Sequence, residues 1–260
     1  MAPMGIGGTV ILLVLSLIFG RNFISGSDAD PQQQQPAAGE VAPPAQQSPG
    51  EAREVQFVTF VLDTAQATWA RVLPESFGER WHDARLVLFR DRTPTGCGTG
   101  QTAMGPFYCP NDQKLYIDLA FYKELSDRFG ASGDLAQAYV ITHELGHHVQ
   151  HLLGTDAKVQ DAQRRDPRNA NALSVALELQ ADCYAGVWAH HSQDEKMLES
   201  GEIEQGLNAA AAVGDDRIQR ATTGHVNVDN FTHGSSQQRA SWFKRGFTSG
   251  DPKNCDTFSG

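Results

Sequence analysis

Apolar residues run without a charge from Ile6 to Phe19, and Arg21 follows. A helix needs about 20 apolar residues to cross a bilayer. The run reaches that length only from Gly5 to Ile24, with its arginine snorkelling to the interface. Residues 1–26 are therefore expected to be an uncleaved N-terminal anchor. The other reading is a cleaved leader ending at the small-x-small triplet Ser27-Asp28-Ala29. No basic residue precedes the run, so orientation is weakly set. Residues 27–50 are rich in Pro, Gln, Ala and Gly, including Gln32 to Gln35 and Pro43-Pro44. Such a stretch cannot bury enough apolar surface to order itself, which predicts a flexible tether.

From Glu51 the pattern is that of a folded domain, residues 51–260. Val55, Val58, Phe60, Leu62, Ala65, Trp69 and Val72 recur at helical spacing until Pro74. Arg85 to Phe89 and Lys114 to Leu119 read as strands. Between them Thr93 to Pro110 is rich in Gly and Pro and reads as a loop. A short helix is expected from Ala120 to Phe129. Next comes a longer one starting at Asp134 as N-cap, with Gln137 completing a capping box. Leu135, Ala138, Ile141 or Thr142, Leu145, Val149 and Leu152 give this helix a buried face, and Gly154 ends it. Asp156 to Asn171 is polar and contains a turn at Asp166-Pro167. Helices follow at Ala172 to His190, at Glu199 to Arg220 (one or a pair) and at Gln237 to Phe247. Helices around a few short strands make the fold class α+β.

The chain of 260 residues carries a formal net charge of −10 and no long basic run, which argues against nucleic acid as a partner. Cys97, Cys109, Cys183 and Cys255 contain no C-x-x-C pair, so a structural zinc ribbon is not indicated. Four cysteines fit two disulfides in an oxidising compartment, with three connectivities open. Cys97 and Cys109 would close a short Gly/Pro-rich loop. Cys183 and Cys255 would then pair by elimination, unless Cys183 is a buried free thiol.

The chemistry is concentrated in Thr142-His143-Glu144-Leu145-Gly146-His147-His148-Val149-Gln150. His143 to His147 is H-E-x-x-H. On a helix the two histidines share a face about 6 Å apart along the axis and can close on one Zn²⁺, with Glu144 on the flank. A metalloprotease is the immediate expectation. His148 is rotated about 100° away, and His151 lies about 12 Å from His143, too far to share one metal. Gln150 and Leu153 stand where the metzincin pattern needs Gly and His. The third ligand must come from elsewhere, and Glu178 is the candidate. It lies 31 residues after His147, flanked by Ala and Leu on an apolar helix where a carboxylate needs a partner. Asp182, one turn on, could fix the free ring nitrogen of His143. The plain alternative is a pair of solvated carboxylates.

His143-Glu-Leu-Gly-His147 with Glu178-x-x-x-Asp182 resembles the gluzincin class of zinc peptidases. The longer pattern is similar to the bacterial neutral zinc metallopeptidase family of membrane-anchored proteins. Matching stretches are Thr95-Gly-Cys-Gly98, Gly105 to Pro110, Tyr116 to Leu119, His143 to Gln150, Glu178 to Trp188 and Thr232 to Phe243. The Arg- and Gly-rich segment that usually precedes the apolar run in such proteins is not in this sequence. The resemblance implies a zincin-like fold with one Zn²⁺ on His143, His147 and Glu178, and peptide or protein substrates. Its catalytic domain would lie outside the cytoplasm, tethered to the membrane, or secreted if the anchor is cleaved.

In the expected mechanism a zinc-activated water attacks the scissile carbonyl, with Glu144 as general base and later proton donor to the leaving amine. His233 is the candidate second electrophile, with Arg239 on the next helix. Thr232-His233-Gly234 resembles the S/T-H-P-x-x-x-x-R element of some membrane gluzincins, with Gly234 in place of Pro. The plain alternative is that His233 and Arg239 only tie the C-terminal loop to the core. The resemblance also implies that the strand with Tyr116, Ile117 and Asp118 is a sheet edge lining the substrate cleft. The competing functions are a zinc-dependent envelope assembly or binding factor that does not cut, and a metal-free envelope scaffold. A structural zinc needs no base and usually has four protein ligands, so Glu144 speaks against the first.

Overall fold

The computed structural model describes residues 49–259 apart from 102–104, 119, 122–126, 128–132 and 199–200. The apolar run 6–19, residues 27–48 of the tether and most of the expected helix at Ala120 to Phe129 lie outside the described residues. Among the described residues no helix is long and apolar enough to cross a membrane. The chain divides into units Met1–Gln56 and Phe57–Gly260, and the second holds the site.

Helix α1 (Pro49–Phe77) buries Val58, Val61, Leu62, Ala65, Trp69, Val72 and Leu73, a continuous stripe at three- and four-residue spacing. Phe60, expected on this face, is instead exposed. Pro74 does not end the helix. It sits in the last turn, and the chain leaves at Gly78, whose N–H reaches the Pro74 carbonyl at 2.9 Å.

Strands β1 (Arg85–Phe89), β4 (Phe107–Cys109) and β5 (Lys114–Asp118) form one sheet in the order β1-β5-β4. β1 is parallel to β5 with Arg85 opposite Lys114, and β4 is antiparallel with Tyr108 opposite Leu115. β5 is thus the central strand and buried, not the edge that the resemblance implied. β4 is the border strand on one side. The Gly/Pro-rich stretch expected to be a loop contains a separate hairpin, β2 (Arg92–Thr95) with β3 (Gly98–Gln101).

Helix α2 (Asp134–Leu152) is buried along most of its length, including His143, Glu144 and His148. Its expected capping box does not form. Gly133, at φ 108°, occupies the cap, and the Leu135 N–H donates to the Gln205 side chain at 3.3 Å. Gly154 ends the segment in a left-handed conformation, as the sequence predicts. The polar stretch beyond is a helix, α3 (Thr155–Arg165), whose one buried residue, Val159, leaves almost no apolar period to detect. Helix α4 (Ala170–Asp194) follows, then the pair α5 (Ile203–Ala212) and α6 (Asp215–Thr223), and α7 (Ser236–Ser249). A capping box does form at α7, between Ser235 and Gln238.

Close backbone approach brings α2, α4 and α7 together. A Cβ at Gly146 would lie 3.0 Å from the Ala181 carbonyl oxygen. One at Gly246 would lie 1.9 Å from the Cys183 oxygen, and one at Gly186 2.0 Å from the Phe243 oxygen. Side chains from the three helices can therefore meet without long reaches.

Candidate metal centre

Glycine at position 146 lets α4 lie against the histidine face of α2, and Glu178 projects to where His143 and His147 converge. The Glu178 oxygens lie 3.1 Å from His143 Nε2 and 3.6 Å from His147 Nε2. His143, Glu144 and His147 also offer ligand atoms within 4.8 Å of one another. Two carboxylates thus compete for the third position. Glu178 approaches both imidazoles, whereas the Tyr108 backbone N–H holds Glu144 Oε2 at 2.8 Å. That hydrogen bond leaves Glu144 on the flank.

The hydrogen bonds behind the histidines fix which nitrogen faces the centre. His143 Nδ1 lies 2.8 Å from Asp182 Oδ1, an obligatory acceptor, so Nδ1 carries a proton and Nε2 is the nitrogen that would face a metal. His147 Nδ1 lies 2.8 Å from Gln150 Oε1. That amide cannot be the other way round, because its Nε2 donates to the Leu177 carbonyl at 2.7 Å and to Gln180 Oε1 at 3.2 Å. Two imidazole Nε2 atoms and a carboxylate consequently point at one spot. In the metal-free protein a proton on His143 Nε2 bridges to Glu178 at 3.1 Å, and once both imidazoles are neutral the same nitrogens and carboxylate oxygen are a donor set that zinc accepts. These residues fit the ion.

The charges agree. Burial alone would lower the His143 pKa, but the Asp182 charge and hydrogen bond, with the Glu178 hydrogen bond, push it up to about 10. Burial would raise the Glu178 carboxyl, yet His147 and His143 hold it well below its ordinary value. Glu144 moves the other way: burial raises its carboxyl against the opposing pull of His147 and His143. An ionised Glu178 thus lies beside a carboxylate with enhanced proton affinity.

Asp182 is fully buried and accepts from four donors. These are Tyr139 Oη at 2.5 Å, His143 Nδ1 at 2.8 Å, Arg239 Nε at 2.8 Å and Arg239 Nη2 at 3.0 Å. Arg239 also donates to the Val213 carbonyl at 3.2 Å and lies 3.6 Å from Glu178 Oε2. It is a buried counter-ion to Asp182 and Glu178. Sequence reasoning missed Gln150 and Tyr139. Their positions, at i+3 from His147 and i−4 from His143, were the available signal.

The sheet meets the site through β4. Tyr108 donates its N–H to Glu144, and its hydroxyl lies 2.8 Å from Nδ1 of buried His148, whose Nε2 is 2.6 Å from the His82 carbonyl. Tyr116, Ile117 and Asp118 do not line a cleft. All three are buried, with the Tyr116 hydroxyl on Asp112 and Asp118 accepting from the Asp91 and Ala120 N–H groups.

His233 is half-buried, and its Nδ1 lies 3.1 Å from Asp215 Oδ1 and 3.0 Å from Thr232 Oγ1. Asp215 Oδ2 also accepts the N–H groups of Thr232, His233 and Gly234, which fixes the turn. Burial would lower the His233 pKa, but the Asp215 hydrogen bond and the Glu178 and Asp215 charges raise it. Both expected disulfides are present, Cys97–Cys109 and Cys183–Cys255, closing loops of 12 and 72 residues.

Known proteins resemble this chain over most of its length. A family model described as "Putative neutral zinc metallopeptidase" matches residues 2–258. The chain is 47% identical over 259 residues to the uncharacterized protein YpfJ of Escherichia coli, covering 98% of this chain and 88% of that protein. It is 43% identical over 208 residues to the uncharacterized protein Rv2575 of Mycobacterium tuberculosis, covering 76% of this chain and 68% of the relative. No solved structure matches. By the family match this chain belongs to the family described as "Putative neutral zinc metallopeptidase".

Proposed function

We propose that the protein is a zinc-dependent endopeptidase in which His143, His147 and Glu178 hold the ion and Glu144 is the general base. The observation that carries this reading is the convergence of both Nε2 atoms on the Glu178 carboxylate with Glu144 beside them. Zinc held there supplies Lewis-acid chemistry, acidifying water and polarising a carbonyl. The Tyr108 N–H occupies Glu144 Oε2, which leaves Oε1 to take the proton of the attacking water and deliver it to the leaving amine. The raised proton affinity of this carboxyl suits both transfers.

His233 is the donor to the developing oxyanion. Asp215 holds its Nδ1, leaving Nε2 to donate, and the imidazolium is favoured over that of an ordinary histidine. Extended peptide would add alongside β4, the border strand that touches Glu144, through main-chain hydrogen bonds that demand little of the substrate sequence. An N-terminal anchor and tether would hold the domain outside the cytoplasm, where disulfides persist.

The test is cleavage of an unfolded protein such as casein by the zinc-loaded enzyme. The expected result is turnover abolished by a chelator and restored by zinc, and lost in Glu144→Gln. Zinc binding without cleavage of any of several unfolded substrates contradicts the peptidase reading.

A further inference from the structure

We propose that Gln150 and Gln180, anchored on the carbonyl of Cys255, form a positioning relay that sets the tautomer and orientation of His147. The inference rests on the metal-centre reading above. Both amides are buried, and two backbone carbonyls, which can only accept, determine how they are oriented. The Cys255 carbonyl takes the Gln180 Nε2 at 3.0 Å, so Gln180 Oε1 faces Gln150. That oxygen and the Leu177 carbonyl take both hydrogens of the Gln150 amide, at 3.2 and 2.7 Å. The oxygen of Gln150 is left to accept from His147 Nδ1 at 2.8 Å. Each link leaves the next a single orientation, and the last turns Nε2 toward Glu178.

The relay has a covalent end. Cys255 closes the turn Pro252–Cys255 and is bonded to Cys183, next to Asp182 on the ligand-bearing helix. The half-cystine that ties down the C-terminal segment thus supplies the acceptor on which the first amide depends. His143 is oriented by a carboxylate and an arginine, whereas His147 is oriented by neutral amides. The second support can be removed without leaving a charge buried.

The experiment measures zinc affinity of the full chain, disulfides intact, by competition with a chromophoric chelator. It also follows the imidazole N–H resonances of the zinc-loaded protein by NMR. Gln150→Leu is expected to weaken zinc binding about 10–100-fold, as loss of a ligand's hydrogen-bond partner commonly does. The protected Nδ1–H signal of His147 should disappear while that of His143 persists. Gln180→Met keeps the acceptor but frees its alignment, and should weaken binding by a smaller factor that still exceeds twofold. It serves as the test should Gln150→Leu not fold. Affinity within twofold of wild type in the folded Gln150→Leu protein, or in Gln180→Met if it alone folds, overturns the relay. So does equal loss of both N–H signals. A wild-type protein that binds no zinc overturns the metal centre and the relay together.

Discussion

Replacing Asp182 by asparagine keeps the shape of the side chain and removes one charge from a closed cage. The carboxylate receives Tyr139, His143 and Arg239 Nη2 on Oδ1, and Arg239 Nε on Oδ2. An amide has one accepting oxygen, so its NH₂ must oppose either the Arg239 Nε–H or the donors facing Oδ1. At least one buried donor is then orphaned, at about 1–3 kcal/mol. Arg239, only 3% exposed, also loses the charge that neutralises it, with Glu178 3.6 Å away as the remaining anion. Removing one partner of a buried ion pair costs about 3–5 kcal/mol, and that range already includes much of the orphaned-donor effect. Asp182→Asn is therefore expected to lose about 4 kcal/mol, a large part of the roughly 5–15 kcal/mol that holds a domain folded. Urea unfolding of both proteins with chelator present and disulfides intact measures it without the metal's contribution. Adding Arg239→Leu should restore part of the loss, because the stranded charge is gone. A loss below about 1 kcal/mol, or a double variant no better than the single, refutes the cage.

Other consequences can be checked separately. His233→Ala should lower kcat by about 10²–10³ with zinc affinity unchanged, and unaltered turnover would assign His233 to the Asp215 turn alone. Burial would raise the Asp216 carboxyl, but the Ser236 N–H at 2.6 Å and hydroxyl at 2.8 Å outweigh it and lower its pKa. Its folded pKa lies below the unfolded value, so its stabilisation is present above about pH 4 and lost as the pH falls through the folded pKa. The urea midpoint of Asp216→Asn should accordingly trail wild type at pH 7, with the gap closing toward pH 2. Gly246→Ala should abolish folding or separate α7 from α4, read as loss of cooperative thermal unfolding, because its Cβ would meet the Cys183 oxygen at 1.9 Å.

What could be read from the sequence, and what could not, follows the range of each interaction. His143, Glu144 and His147 were legible because a helix fixes their spacing, and Glu178 with Asp182 because carboxylates on an apolar helix need partners. Gln150 was visible as a residue but not as a support, since Leu177 and Gln180 reach it from another helix. Arg239 stood beside His233 in the sequence, yet folding sends it to Asp182 while His233 turns to Asp215. The β5 strand is apolar enough to be an edge or a centre, and β4 pairing on its far side decided the matter. Helix α3 escaped because its buried face is a single valine.

Which carboxylate completes the metal centre is the question on which everything else depends. Zinc titration of Glu144→Gln and Glu178→Gln, side by side with wild type, answers it directly. The expected result is wild-type affinity in Glu144→Gln and loss of tight binding in Glu178→Gln. Zinc retained by Glu178→Gln and lost from Glu144→Gln would contradict the assignment, making Glu144 the ligand and leaving the site without its base.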